Sequence, residues 1–174
     1  MIDRMELLAV IVLGFLLDQV LGDPHWLYHP VRLIGAYISF LEKGIRKIFG
    51  GGERALLAGG VVLVLFVTGT TAVVSGGILY ACGRISPGLK FLVSVILCYQ
   101  LFAVRSLKDE SMKVYRELKK DDLPAARYAV SMIVGRDTER LDMTGVTKAA
   151  VETVAENTSD GVAAPLFYMT LGGP

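Results

Sequence analysis

Oxygen-bearing side chains gather near the C-terminal end of the sequence at a spacing that suits a metal ion. Glu152 and Glu156 are four residues apart, which places both carboxylates on one face of a helix. Mg²⁺ prefers oxygen ligands and typically takes one or two protein carboxylates. We therefore predict that the metal ligands are Glu152, Glu156 and Asp160, and that polar contacts to the bound ligand come from Asn157, Thr158 and Ser159. A solvated acidic face with a capped helix end explains the spacing equally well, although adjacent like charges cost helix stability and so favour a site.

A second polar cluster, DQVLGDPHWLYHPVRLIG from Asp18 to Gly35, holds both histidines of the chain. Taken alone, it is best interpreted as a turn at a membrane surface, with Trp26 and Tyr28 in the interface and Arg32 at lipid headgroups. Asp18 does not fit that interpretation. A carboxylate this close to a membrane core is costly, so we expect it to face a partner or a cavity.

Hydrophobic segments position these clusters. The 174 residues are 53% hydrophobic, with a mean hydropathy of +0.52, and residues 55–83 contain no charged side chain. Because about 20 apolar residues cross the core of a bilayer, we predict membrane spans at about 5–21, 55–83 and 88–105. The first and third segments are short, and a re-entrant or interfacial helix is an alternative for the first.

The basic residues are distributed unevenly around these three spans. Arg4, Arg84 and Lys90 would lie on one side, and all the others of the 18 Lys and Arg residues on the opposite side. The positive-inside rule places the larger group in the cytoplasm. We therefore expect a multi-pass protein of the cytoplasmic membrane whose main polar segment, about residues 106–160, is cytoplasmic.

This polar segment is predicted to form amphipathic helices. Asp122 followed by Leu123 and Pro124 is typical of a helix start. Thr144 is predicted to cap the next helix, over about 145–157, and Gly161 to permit a tight exit from it. The fold class predicted is all-α, a multi-span helical membrane protein with amphipathic cytoplasmic helices.

The chain is predicted to be one helical membrane domain over residues 1–174. A glycine triplet at 50–52 is expected to act as a hinge before the second span. A further hydrophobic segment begins near residue 161 and is still apolar at residue 174. We therefore expect the sequence to be the N-terminal part of a longer protein.

Several classes of function are disfavoured by the composition. A net charge of +1 argues against a nucleic-acid binder that works by neutralising phosphates. Cys82 and Cys98 both lie in apolar stretches and are expected to be inert thiols rather than a disulfide. The sequence contains neither GxxxxGK[ST] nor GxGxxG, and no Ser-His-Asp or Cys-His set is recognisable.

Three stretches together resemble the adenosylcobinamide-phosphate synthase family, membrane proteins of cobalamin biosynthesis. They are DQVLGDPHWLYHPVRLIG near the N-terminus, SMIVGRDTERLD from Ser131 to Asp142, and AAVETVAENTSDGVAAPLFY from Ala149 to Tyr168. Their order and spacing resemble those of the family over essentially the whole chain. The resemblance implies ATP- and Mg²⁺-dependent amide formation that joins adenosylcobyric acid to aminopropanol phosphate.

Residue chemistry suggests roles in such a reaction. The guanidinium fork matches phosphate oxygens, so Arg136 and Arg32 are candidates for binding phosphate, with Asp137 orienting Arg136. His29 or Asp23 could accept the proton of the ammonium group, because only a neutral amine attacks.

The expected partners are the two substrates and the lipid bilayer. Other corrinoid-pathway enzymes and a second copy of the chain are left open as further partners. Two other functions are also left open: a membrane transporter subunit, with Asp18 as an ion ligand, and a non-enzymatic membrane scaffold for corrinoid enzymes. The sequence shows no internal repeat that would favour a transporter.

Overall fold

All regular elements among the described residues are helices. The computed structural model describes residues 3–24, 29–50 and 52–173, and no strand occurs in these ranges, which confirms the all-α prediction. The helices are α1 (Arg4–Leu21), α2 (Pro30–Phe49), α3 (Glu53–Ile85), α4 (Pro87–Tyr99), α5 (Val104–Lys119), α6 (Leu123–Ser131), α7 (Met143–Thr158), a π-helical turn (Ser159–Ala163) and α8 (Ala164–Gly172). Residues 25–28, which include the predicted interfacial Trp26 and Tyr28, lie outside the described ranges, as does residue 51 of the glycine triplet.

Two stretches of the described chain are long and apolar enough to cross a membrane. They are Glu53–Ile85 and Pro87–Lys119, with mean hydropathies of 2.2 and 1.7 in their most apolar windows. The second stretch combines α4 and α5, which are separated by a break at residues 100–103. The third predicted span, 88–105, therefore runs across this break. α1 is not one of the two stretches, and the total number of crossings and their orientation stay predictions.

The chain divides into two compact units. One consists of Met1–Pro24 with Val95–Pro174, and the other of His25–Ser94.

In the second unit, α2 and α3 form an antiparallel pair. The Tyr37 and Thr70 hydroxyl oxygens are 3.2 Å apart, and Ile45 and Phe49 lie against Gly59. α2 lies between the predicted spans at about 5–21 and 55–83, where no helix was predicted from the sequence. The start of α2 is determined locally, because Pro30 occupies the first position of the helix, where its missing N–H needs no partner. Gly50 (φ +73°) and Gly52 lie between the end of α2 and the start of α3, and their role as a hinge stays a prediction.

In the first unit, α1 packs closely on the segment that ends α4. A Cβ on Gly14 would lie 2.7 Å from the Cys98 sulfur, so only glycine allows this approach without a shift. The rings of Phe15 and Phe102 meet edge to face at 5.7 Å. Cys98 is buried, and both cysteines are free, as expected.

The rest of this unit is a core between α5, α6 and α7. Its fully buried side chains are Val114, Ala126, Val130, Val146 and Ala149. Their spacing follows the helical period, which explains why the amphipathic pattern of residues 106–160 was visible in the sequence.

Aspartates cap the starts of both α6 and α7, although only the first of these caps was predicted. Asp122 caps α6 as predicted, since its Oδ1 accepts a hydrogen bond from the Ala125 N–H at 3.0 Å. The prediction for Thr144 was wrong. Asp142 caps α7 instead, and its carboxylate accepts from the Gly145 N–H at 2.7 Å. A carboxylate also interacts favourably with the positive end of the helix dipole, which a hydroxyl does not.

The predicted chain exit at Gly161 was also wrong. The backbone continues through the π-helical turn directly into α8. Pro165 does not stop the chain there, because it occupies the first turn of α8, where a missing N–H is tolerated.

The tight core of the first unit gives a direct test of packing. We expect Ala149→Leu to destabilise the protein by about 1–3 kcal/mol, because the added carbons have no space beside Val114 and Val130. Ala155→Leu on the exposed side of the same helix is the matched control and should change stability little. Thermal unfolding in detergent measures both, and equal unfolding temperatures for the two variants would contradict the described core.

Candidate functional site

Asp18 is a buried carboxylate that joins two parts of the chain. It lies in α1, one turn before the end of that helix, and only 1% of its surface is exposed. Its Oδ2 accepts hydrogen bonds from the N–H groups of Val104 at 3.1 Å and Arg105 at 3.2 Å. These are the first two residues of α5, whose N–H groups have no partner within the helix. The expectation that Asp18 faces a partner is thus confirmed, and the partner is the start of a helix.

Arg105, at the start of α5, binds the end of α1. Its Nη1 donates to the carbonyl of Gln19 at 2.8 Å and to that of Val20, so it satisfies acceptors at the end of α1. The Tyr99 hydroxyl donates to the Gly22 carbonyl at 2.6 Å. Gly22 has φ +63°, and a Cβ there would lie 3.2 Å from Cδ of Arg105. The positive φ favours glycine at this position, and a Cβ would also crowd the Arg105 side chain.

The same short segment also contacts the other polar cluster. The Ala103 N–H donates to the Gly161 carbonyl at 3.2 Å. In a regular helix this carbonyl would accept from the residue four positions later, but that residue is Pro165 and has no N–H. Because of this proline, the Gly161 carbonyl remains available to the Ala103 N–H, which lies in the break between α4 and α5. Residues 99–105 therefore form a junction that contacts both the end of α1, at Asp18, Gln19 and Gly22, and Gly161.

Several of the predicted site residues lie beside this junction. Asp23 directly follows Gly22, and Asp160 directly precedes Gly161. Both are exposed, as are the polar residues Asn157, Thr158 and Ser159. The Thr158 hydroxyl donates to the Val154 carbonyl at 2.7 Å, so its proton is already used within the helix.

A second feature is the ion pair between Arg136 and Glu152. Arg136 Nη2 lies 2.9 Å from a Glu152 carboxylate oxygen, and Lys148 Nζ lies 3.7 Å from the other oxygen. The structure thus brings together the predicted phosphate-binding arginine and one predicted metal ligand, which are 16 residues apart. Both side chains are about half exposed, so solvent screens the pair and it adds little to stability.

The ion-pair partner of Arg136 in this structure is Glu152, and the role of Asp137 in orienting Arg136 stays a prediction. The Asp137 Oδ1 accepts from the Glu139 N–H at 2.9 Å, so it stabilises its own turn, while Glu152 holds Arg136. The loop that carries these residues is anchored at Arg127, which donates to the Leu141 carbonyl at 2.6 Å. The Arg127 carbonyl in turn accepts from the buried Thr138 hydroxyl at 3.2 Å. The loop is therefore fixed at its base, with Arg136 held at the surface.

Two open grooves flank the ion pair. One, of about 500 Å³, is lined by Arg136 together with Arg127 and Tyr128. The other, of about 570 Å³, is lined by Glu152 together with Lys148 and Val151. A ligand in either groove would meet one member of the pair.

The candidate metal ligands are two neighbouring carboxylates rather than a group of three or more. Within residues 3–24, 29–50 and 52–173, no three His, Cys, Asp or Glu side chains lie close enough to hold a metal ion. Glu152 and Glu156, one helical turn apart, still match the one or two carboxylates that Mg²⁺ commonly takes from a protein. The assignment of Mg²⁺ to Glu152, Glu156 and Asp160 stays a prediction.

His29 and Arg32 belong to the other unit. His29 precedes α2, and its Nδ1 accepts a hydrogen bond from the Val31 N–H at 3.3 Å. That nitrogen is therefore occupied as a helix cap, and a proton could be accepted only at Nε2. Arg32 is an exposed residue in the first turn of α2.

Tyr99, Ala103 and Arg105 are not among the site residues predicted from the sequence. Arg105 is one of the basic residues assigned to the cytoplasmic side, and its side chain binds the end of α1. No local pattern could have revealed this, since Asp18 and the residues that it caps are 86 and 87 positions apart.

The described residues define an all-helical protein with long apolar helices, in which the end of α1 and Gly161 both contact residues 99–105. Residues 11–174 match the family described as CobD/Cbib protein, and the chain belongs to this family.

Curated relatives support this assignment. Cobalamin biosynthesis protein CobD of Listeria monocytogenes serotype 4b (strain F2365) is 48% identical over 161 residues, which cover 92% of this chain and 50% of that protein. CobD of Clostridium perfringens (strain 13 / Type A) is 44% identical over 94% of this chain and 51% of its own length. Cobalamin biosynthesis protein CbiB of Salmonella typhimurium is 43% identical over 92% of this chain and 50% of its own length. The chain thus spans about half the length of the curated relatives it matches, and no solved structure is significantly similar to it.

The Asp18 cap can be tested by removing the carboxylate. We expect Asp18→Ala to destabilise the protein by about 1.5–3 kcal/mol, because two N–H groups at the start of α5 lose a charged acceptor. Hydrogen exchange at residues 104 and 105 should accelerate together with the loss of thermal stability. Asp23→Ala is the control, because that carboxylate is exposed and should change stability by less than about 0.5 kcal/mol. Unchanged exchange at residues 104 and 105 in Asp18→Ala would rule out the cap.

Proposed function

We propose that this chain takes part in cobalamin biosynthesis as part of an adenosylcobinamide-phosphate synthase. The reaction proposed is ATP-dependent amide formation between adenosylcobyric acid and aminopropanol phosphate. The names of the relatives support the pathway. The observation that supports an enzyme most is the Arg136–Glu152 pair, in which a candidate phosphate-binding arginine and a candidate metal ligand lie 2.9 Å apart at the surface.

Amide formation from a carboxylate needs activation, because a carboxylate is a poor electrophile. In the proposed reaction, a carboxylate oxygen attacks the γ-phosphorus of ATP, the bond to ADP breaks, and an acyl phosphate forms. The neutral amine then attacks the acyl carbon, inorganic phosphate leaves, and a base takes the amine proton. The protein contributes mainly positioning and stabilisation of charge in such phosphoryl transfer.

Arg136 of the ion pair is suited to bind phosphate. The fork of Arg136 can bind two phosphate oxygens, and the groove that it lines also contains Arg127. Arg32 is a second candidate for phosphate, and Asn157, Thr158 and Ser159 are candidates for polar contacts to the nucleotide. Asp23 or His29 would accept the amine proton.

The proposed holders of Mg²⁺ are Glu152 and Glu156, with Asp160 as a third candidate. A bound Mg²⁺ would neutralise charge on the phosphates. Glu152 is paired with Arg136 in this structure. A phosphate group that attracts Arg136 would leave only Lys148 beside the Glu152 carboxylate and so make this carboxylate more available to Mg²⁺.

We further propose that the protein is a multi-pass protein of the cytoplasmic membrane with its polar segments on the cytoplasmic side. The two apolar stretches support a membrane location. ATP and the corrinoid would then reach residues 106–160 directly from the cytoplasm.

The metal assignment is tested in the full-length protein. We expect Glu156→Gln to raise the Mg²⁺ concentration needed for half-maximal amide formation by about tenfold or more, because one negative ligand is lost. Glu110→Gln, an ion-paired carboxylate on α5, is the control and should leave this concentration unchanged. Activity is measured as ATP-dependent formation of the corrinoid amide over a range of Mg²⁺.

Full activity of Glu156→Gln at limiting Mg²⁺ would refute the metal role. If the parent protein binds corrinoid and ATP without turnover, the scaffold function replaces the enzyme. Corrinoid uptake into sealed vesicles without amide formation would instead indicate a transporter.

A further inference from the structure

Helix α5 exposes a stripe of cationic and amphipathic side chains along one face. The stripe consists of Lys108, Met112, Tyr115, Arg116 and Lys119. Their spacing of four, three, one and three residues places them one above another on the helix, over about 16 Å. All five are exposed, Tyr115 by 53% and Met112 by 37%, whereas Val114 on the other side is buried in the core.

The cations of the stripe differ from the other basic residues of α5 in their pairing. The three acids of this helix are Asp109, Glu110 and Glu117. Each is already paired, with Arg105, Lys113 and Lys120 respectively. Among the residues that the structure describes, Lys108, Arg116 and Lys119 form no ion pair. The stripe therefore presents three uncompensated positive charges.

The position of α5 in the chain indicates what these charges meet. α5 is the C-terminal part of Pro87–Lys119, one of the two stretches apolar enough to cross a membrane, and Lys108 lies nine residues beyond the end of α4. Basic residues next to a membrane segment are attracted to anionic headgroups, each by about 1 kcal/mol. Tyrosine is enriched at the same depth, because its ring is apolar and its hydroxyl is polar.

We propose that this stripe binds the anionic phospholipid headgroups of the membrane, with Lys108, Arg116 and Lys119 at the phosphates and Met112 and Tyr115 towards the acyl chains. A soluble phosphate ligand fits less well, because neither groove beside the Arg136–Glu152 pair includes a stripe residue. An acidic protein also fits less well, because the stripe adjoins an apolar stretch of the same chain. The proposal goes beyond amide synthesis, and its test does not measure activity, so either can fail without the other.

The test compares two double variants of the full-length protein in detergent micelles. Lys108→Gln/Lys119→Gln removes two charges of the stripe. Lys113→Gln/Lys120→Gln removes two ion-paired lysines, one within α5 and one directly after it. The probe is phosphatidylglycerol added against phosphatidylcholine, and its retention is measured by native mass spectrometry. We expect the stripe variant to bind phosphatidylglycerol about 30-fold more weakly, which corresponds to about 2 kcal/mol, and the control to bind like the parent.

Two further measurements test whether the effect depends on charge. Lys108→Arg/Lys119→Arg keeps the charges and should keep the affinity, which separates lost charge from lost folding. High salt should weaken phosphatidylglycerol binding in the parent, since exposed charges are screened. Equal affinities in the two Gln variants, or no preference of the parent for phosphatidylglycerol, would overturn the proposal. Displacement of the lipid by inorganic phosphate at low concentration would show a soluble-anion site instead.

Discussion

The capping of α5 by the Asp18 carboxylate is the interaction on which the arrangement of the first unit depends. It satisfies two N–H groups at the start of α5 with one buried acceptor, and Arg105 satisfies carbonyls at the end of α1 in return. Each helix end thus completes the other. A buried carboxylate without these donors would be strongly unfavourable, so the contact also determines which residues must approach α1.

The break between α4 and α5 makes this arrangement available. An unbroken helix would use the N–H groups of residues 103–105 internally, and none could reach Asp18 or Gly161. The break frees all three, and Pro165 leaves the Gly161 carbonyl without its regular partner within α8. Donors and acceptors that the two helices cannot satisfy themselves are thereby matched across the unit.

Away from this junction, the Arg136–Glu152 pair combines opposite charges that both carry candidate roles. The two side chains are half exposed and screened, so the pair can exchange partners at low cost. Its loop, by contrast, is fixed by Arg127 and the buried Thr138. A fixed loop with a replaceable charge partner suits ligand binding better than it suits structural support.

The sequence by itself determined what depends on neighbouring residues, namely the helical class and the start of α6 at Asp122. It failed where competing local signals had similar strength, as with Asp142 against Thr144, and where basic residues interrupt an apolar pattern, as in α2. Only the tertiary structure decided what Asp18, Tyr99 and Arg105 contact, and that Glu152 is the ion-pair partner of Arg136. The physical reason is that hydrogen bonds and ion pairs are satisfied by whichever group folding brings near, and these partners are far apart along the chain.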